Sequence, residues 1–165
     1  MKKVLILGST GSIGQSTLEV IKANNKDFLI SGLVAKSNKK LLLEQANKFN
    51  VKKICLINND SKNDIFVSES EIEDLIFSDQ VDIVVAAISG IAGLKTILSS
   101  IKAGKRILIA NKEPLVAAGQ ILMKEAKKSN SEIIPIDSEH CAIHQCLKNI
   151  CLLYTSDAAD DTPCV

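Results

Sequence analysis

The first fourteen residues constrain this chain more than any other stretch. Lys2-Lys3-Val4-Leu5-Ile6-Leu7 is a short continuous apolar run of the kind a buried parallel strand requires. It leads directly into Gly8-Ser9-Thr10-Gly11-Ser12-Ile13-Gly14 and then into the helical pattern Ser16-Thr17-Leu18-Glu19-Val20-Ile21. Glycines at 8, 11 and 14 fall where a strand has to turn sharply, a diphosphate has to approach the backbone, and a helix has to pack closely on a sheet. The free N–H groups at the start of that helix then form a phosphate site. The spacing is Gly-x-x-Gly-x-x-Gly rather than Gly-x-Gly-x-x-Gly, a variant common among NADP-dependent enzymes. A bare glycine triplet is weak, but placed between a strand and a helix it predicts a nucleotide-binding loop.

The remaining pattern repeats the alternation of strand and helix. Strands are expected at Phe28–Ala35, Lys53–Ile57, Val81–Ala87, Lys105–Ala110 and Glu132–Ile136. Between them lie an amphipathic helix with Leu42, Ala46 and Phe49 on one face, a short acidic helix around Glu69–Phe77, a helix ending near Lys102, and one ending near Ser129. Pro114 suits the first turn of that last helix, where its missing N–H costs nothing. This order predicts an α/β fold, a doubly wound parallel sheet (Rossmann-like) with right-handed crossovers.

In such sheets ligands bind beyond the carboxyl ends of the strands. The unusual polar segments all fall there: the glycine loop, Lys36-Ser37-Asn38, Ser89-Gly90, Asn111-Lys112-Glu113 and Asp137-Ser138-Glu139-His140. Random surface polarity would not return to one rim so often, so the rim is the expected active site. Enzymes of this fold that use NAD place an acid after the second strand to bind the ribose 2′-hydroxyl. Here that position offers Lys36 and Ser37 with no acid, which favours NADP; Lys39 and Lys40 behind them read as a solvated helix face.

Composition excludes several classes. With 165 residues and 46% hydrophobic content the chain can bury one proper core. A net charge of +1 and 3% aromatic residues offer nucleic acid neither a basic face nor a stacking surface. No apolar run approaches the roughly 20 residues that span a bilayer. Met1 is followed directly by strand, so no signal or transit peptide is expected. Five cysteines (Cys55, Cys141, Cys146, Cys151 and Cys164) are then expected to be reduced thiols in a cytoplasmic protein.

At the far rim, Lys112 is placed to bind a substrate phosphate or hydroxyl. Asp137 and Glu139 are two apart, so in an extended segment both carboxylates point to one side, a pairing that suits Mg²⁺ or Mn²⁺. On spacing alone an ordinary solvated Asp-x-Glu is the safer reading, and two carboxylates do not complete a site.

Four pieces together resemble one family: Leu7–Gly14, Leu33-Val34-Ala35 with Asn38, Ala110-Asn111-Lys112-Glu113, and Ile134-Pro135-Ile136-Asp137-Ser138-Glu139-His140-Cys141-Ala142-Ile143-His144-Gln145-Cys146-Leu147. In order and spacing, over residues 1 to about 148, they resemble the N-terminal part of 1-deoxy-D-xylulose 5-phosphate reductoisomerase. That resemblance implies NADPH bound by Thr10, Gly11, Ser12, Ile13, Asn38, Asn111 and Glu113. It implies substrate contacts from Lys112 and Ser138, and metal ligation by Asp137 and Glu139, with Glu139 also near the substrate. The partner implied is a small phosphorylated sugar, and a homodimer for the full-length family member. The family often has Gly-Lys where this chain has Lys36-Ser37. The implied division is a cofactor domain over 1–136, the start of a catalytic domain over 137–148, and a tail over 149–165 that leaves the family pattern and is expected to be disordered.

Rival readings are weaker. A short-chain dehydrogenase needs Tyr-x-x-x-Lys, but Tyr154 is followed four residues on by Ala158. A semialdehyde-type dehydrogenase would have to use Cys141, with nothing obvious to activate it. His140, Cys141, His144, Cys146 and Cys151 match no usual zinc spacing. A non-catalytic NADP-binding module is the remaining alternative.

Overall fold

β1 (Lys2–Leu7) lies inside a six-stranded, all-parallel sheet with β2 (Phe28–Ala35), β3 (Ile54–Leu56), β4 (Ile83–Ala86), β5 (Arg106–Ile109) and β6 (Glu132–Pro135). The structure is a computed structural model and describes residues 1–58 and 66–147; the expected tail lies outside them. The strand order is β3-β2-β1-β4-β5-β6, so the chain winds outward from β1 in one direction and then from β4 in the other. The doubly wound reading holds, and β1 and β4 border the switch point where such sheets take their ligands.

Period-two alternation sends β1 to both faces of the sheet. Val4 and Ile6 pack with Leu18 and Ile21 of α1 (Ser12–Ala23) and with Leu42 and Ala46 of α2 (Lys39–Phe49). Leu5 and Leu7 pack on the opposite face against Ile72, Leu75 and Ile76 of α3 (Glu69–Phe77). Further along that face, Ile107 and Ile109 meet Ile97 and Ile101 of α4 (Leu94–Lys102) and Leu122 and Ala126 of α5 (Glu113–Ser129). Burial on both faces is why the strands read as unbroken apolar runs rather than alternating ones.

Three details differ from the sequence pattern. A 3-10 turn over Gly90–Gly93 precedes α4, because Gly90 takes φ +71 and the chain must turn before it can enter the helix. The β1–β2 register slips between Val4 and Leu5, and the Ser31 hydroxyl left at that irregularity donates to the Gln80 carbonyl. Asp137 and Glu139 do not share an extended segment, because α6 (Ser138–Leu147) begins immediately after Asp137. The Cys141 amide donates to the Asp137 carbonyl at 2.9 Å, closing the first helical turn. Alternation of a strand therefore gives no reason for those two carboxylates to point together.

Candidate functional site

The glycine loop is built by backbone bonds that leave no room for a side chain at Gly8 or Gly14. The amides of Gly8 and Ser9 both donate to the Val34 carbonyl, at 2.8 and 2.9 Å, and the Gly11 amide donates to Gly8 O at 3.1 Å. Gly8 has φ +88, and a Cβ there would lie 2.4 Å from the Ala87 carbonyl oxygen. A Cβ on Gly14 would lie 2.3 Å from Gly8 O, so α1 presses directly on the loop. Gly11 is the N-cap of α1 in extended backbone, and no side chain caps the helix there. The uncapped N–H groups of the first turn, Ser12 to Gly14, are thereby left for an anion.

Beside this loop a cleft of about 330 Å³ opens at the carboxyl ends of β1, β2 and β4. Gly8, Thr10 and Gly11 form one wall, Val34, Ala35 and Lys36 another, and Ala87, Ile88 and Ser89 a third. Glu69, at the start of α3, also faces the cleft, a residue that sequence reasoning passed over. Beneath it an adjoining cavity of about 50 Å³ reaches Cys55, whose thiol is pushed up to about 11, first by burial and then by the charges of Glu69 and Glu71. Burial thus works against the thiolate that a nucleophile would need.

The other predicted residues sit on the same rim without lining this cleft. Ser37 and Asn38 are exposed at the start of α2, and the Asn38 side-chain oxygen accepts from the Leu41 amide at 3.2 Å. Asn38 therefore has a capping role whatever else it binds. Asn111 is half-buried and its side-chain amide donates to the Ile88 carbonyl, tying the end of β5 to the end of β4. Lys112 and Glu113 are exposed where α5 begins, with Pro114 buried in its first turn as the sequence predicts. Asp137 is half-buried and Ser138 exposed; Glu139 lies in the first turn of α6, and the placement of its side chain lies outside the described residues.

Gln45 carries the second signal missed at first reading. It lies three residues from Leu42 on the apolar face of α2, is 5% exposed, and its Nε2 donates to the Ser9 carbonyl at 2.9 Å. A polar residue inside an apolar stripe needs a buried partner, and that was the available clue.

The residues present fit a dinucleotide: a loop with no room for a Cβ at Gly8 or Gly14, an uncapped helix start, and Lys36 rather than an acid directly after β2, in a cleft that Glu69 also lines. Of the two carboxylates expected to hold a metal, the side chain of Glu139 lies outside the described residues, and among those residues no group of three or more His, Cys, Asp or Glu side chains converges. Of the zinc alternative, Cys151 and the side chain of His140 lie outside the described residues. No helix among the described residues is long and apolar enough to cross a membrane.

The sequence profile of the 1-deoxy-D-xylulose 5-phosphate reductoisomerase family matches residues 4–119. A relative from Blochmanniella pennsylvanica with that name is 44% identical over 165 aligned positions, covering 92% of this chain and 42% of the relative. Among solved structures, a DOX-P reductoisomerase in complex with NADPH, fosmidomycin and magnesium superposes with a TM-score of 0.84 at 38% identity, over 98% of this chain and 42% of that one. The Zymomonas mobilis enzyme in complex with NADPH gives 0.81 at 33% identity, over 90% of this chain and 42% of that one. The chain thus spans about two fifths of the length of the relatives it matches.

Proposed function

Because the chain belongs to the 1-deoxy-D-xylulose 5-phosphate reductoisomerase family, we propose that it is the NADPH-binding part of an enzyme converting 1-deoxy-D-xylulose 5-phosphate to 2-C-methyl-D-erythritol 4-phosphate. The observation that carries the reading is the glycine cradle beside a cleft holding Lys36, at the switch point of the sheet. In this reading the first-turn N–H groups of α1 bind the diphosphate, and Lys36 with Ser37 receives the 2′-phosphate. Asn38 caps α2 and presents its corner to the same phosphate. Asn111 holds the β4 and β5 rims together, and Glu113 completes the nicotinamide side. NADPH supplies the hydride when bound; this part of the protein supplies its alignment.

Residues 1–136 are the cofactor domain in this proposal, and residues from 137 onward open the catalytic part. Lys112 and Ser138 contact the phosphorylated sugar. Asp137 and Glu139 contribute two oxygen ligands to Mg²⁺ or Mn²⁺, a set that the described residues do not complete. The complete protein is a homodimer in the same reading.

Cofactor choice is the direct test. Fluorescence titration should show NADPH binding the chain at least tenfold more tightly than NADH, and Lys36→Ala should shrink that ratio. Equal or reversed affinities would overturn the assignment of the 2′-phosphate corner. For the chemistry, the chain joined in frame to the remaining part of the Blochmanniella pennsylvanica relative should reduce deoxyxylulose phosphate. Asp137→Ala in that chimaera should remove turnover and spare NADPH binding.

A further inference from the structure

Gln45 is an expensive residue for its position. It is 5% exposed, and its Oε1 finds no hydrogen-bond partner among the described residues. A methionine or leucine there would bury similar apolar volume without stranding an oxygen. What the amide gains is one bond, from Nε2 to the carbonyl of Ser9, a fully buried residue inside the glycine loop. That bond joins elements 36 residues apart in sequence. On the loop side, the Ser9 amide is already fixed to Val34, so Gln45 holds the other end of the same residue.

The helix carrying Gln45 begins at the Lys36-Ser37-Asn38 corner, with Asn38 as its side-chain cap. One rigid element therefore touches both the turn after β2 and the loop after β1. Building on the cofactor reading above, we infer that Gln45 is a positioning residue for the dinucleotide. It fixes the Ser9 peptide so that the first-turn amides of α1 face the diphosphate, and it sets their spacing from the 2′-phosphate corner at the head of α2. Loops that bind phosphate through backbone amides depend on peptide orientation, which one buried bond to a carbonyl can set.

A purely structural role for Gln45 would weaken the fold without discriminating between ligands. The positioning role predicts discrimination, because adenosine 2′-monophosphate reaches the α2 corner and carries no diphosphate. The test uses calorimetric titration of the 165-residue chain with NADP⁺ and with adenosine 2′-monophosphate, in the wild type, in Gln45→Met, which keeps the volume and loses the donor, and in Gln45→Asn, which withdraws the amide by one methylene. Both variants should bind NADP⁺ at least tenfold more weakly and adenosine 2′-monophosphate within twofold of wild type. Hydrogen exchange should rise in the peptide covering residues 8–14 and stay unchanged in β4. Wild-type affinity for NADP⁺ in the variants, or a parallel loss for both ligands, overturns the inference. A wild-type chain that binds neither ligand overturns the cofactor reading itself.

Discussion

Gly8, Gly11 and Gly14 look equivalent in sequence, and each meets a different neighbour. At Gly8 the positive φ and the Ala87 carbonyl at 2.4 Å from a built Cβ both forbid a side chain. At Gly14 the obstacle is Gly8 O at 2.3 Å, again backbone that cannot move aside. At Gly11 the nearest protein atom would be 3.4 Å away, ordinary contact. Gly8→Ala and Gly14→Ala should therefore each cost more than about 2 kcal/mol of stability, read by denaturant unfolding. Gly11→Ala, a change at the N-cap of α1, should cost only about 1 kcal/mol yet bind NADPH markedly less well, because its methyl would stand where the diphosphate approaches. An unstable but cofactor-competent Gly11→Ala would contradict this division. Cys55 makes a second residue-scale case. Burial, and then the charges of Glu69 and Glu71, push its thiol from the usual 9.0 up to about 11, which makes the reactive thiolate scarcer at neutral pH. Alkylation of the native chain at pH 7.5 should mark exposed Cys146 and leave Cys55 unmodified until the protein unfolds.

Most elements were legible because their signals are local. Phe28–Ala35 and Glu69–Phe77 lie where the apolar pattern puts them. The expected strand Lys53–Ile57 shrinks to Ile54–Leu56, because strand limits are set by the neighbour each residue pairs with, and β2 offers only Leu33 to Ala35. The bond from Gln45 to Ser9 could not be read at all, since it depends on which helix face covers the loop. The beginning of α6 was misread for a related reason: Asp137 and Glu139 alternate only if the strand continues, and β6 ends at Pro135. α3 shows how a local device fixes an element's start. Ser68 accepts from the Glu71 amide at 3.2 Å, while the Glu71 carboxylate accepts from the Ser68 amide at 2.8 Å, a reciprocal capping box. Ser68→Ala should cost about 1 kcal/mol and lower the midpoint of thermal unfolding by about 3 °C. The Ser68 amide first, and then the Ser68 hydroxyl, which donates to the same carboxylate at 2.9 Å, hold the Glu71 carboxyl below its ordinary 4.5. A depressed folded-state pKa means this contribution is present above about pH 4.5 and lost as pH falls below it. Unfolding measured between pH 6 and 3 should thus show a shallower acid loss in Glu71→Gln than in wild type.

At the scale of the whole molecule, the cofactor site and the remaining chemistry separate. Among the described residues, six strands and the cleft lining named above come together, and the three apolar clusters fasten helices to both faces around them. The substrate end is different. In the proposed reading it draws on Lys112, Ser138, Asp137 and Glu139, while no group of three metal-ligating side chains converges among the described residues and the chain covers about 42% of its relative's length. Hydride transfer needs the donor and carbonyl held within near-attack distance, and a substrate held only at one side leaves most of that alignment unmet. Water in an open site further weakens the electrostatic contribution that a closed one supplies. The 165-residue chain should accordingly bind NADPH with a single stoichiometric site and show no oxidation of it when deoxyxylulose phosphate and Mg²⁺ or Mn²⁺ are added. Stopped-flow absorbance at the reduced nicotinamide band makes the comparison directly. Turnover by the chain alone would mean that the residues up to α6, with those that follow in this sequence, already complete the catalytic site.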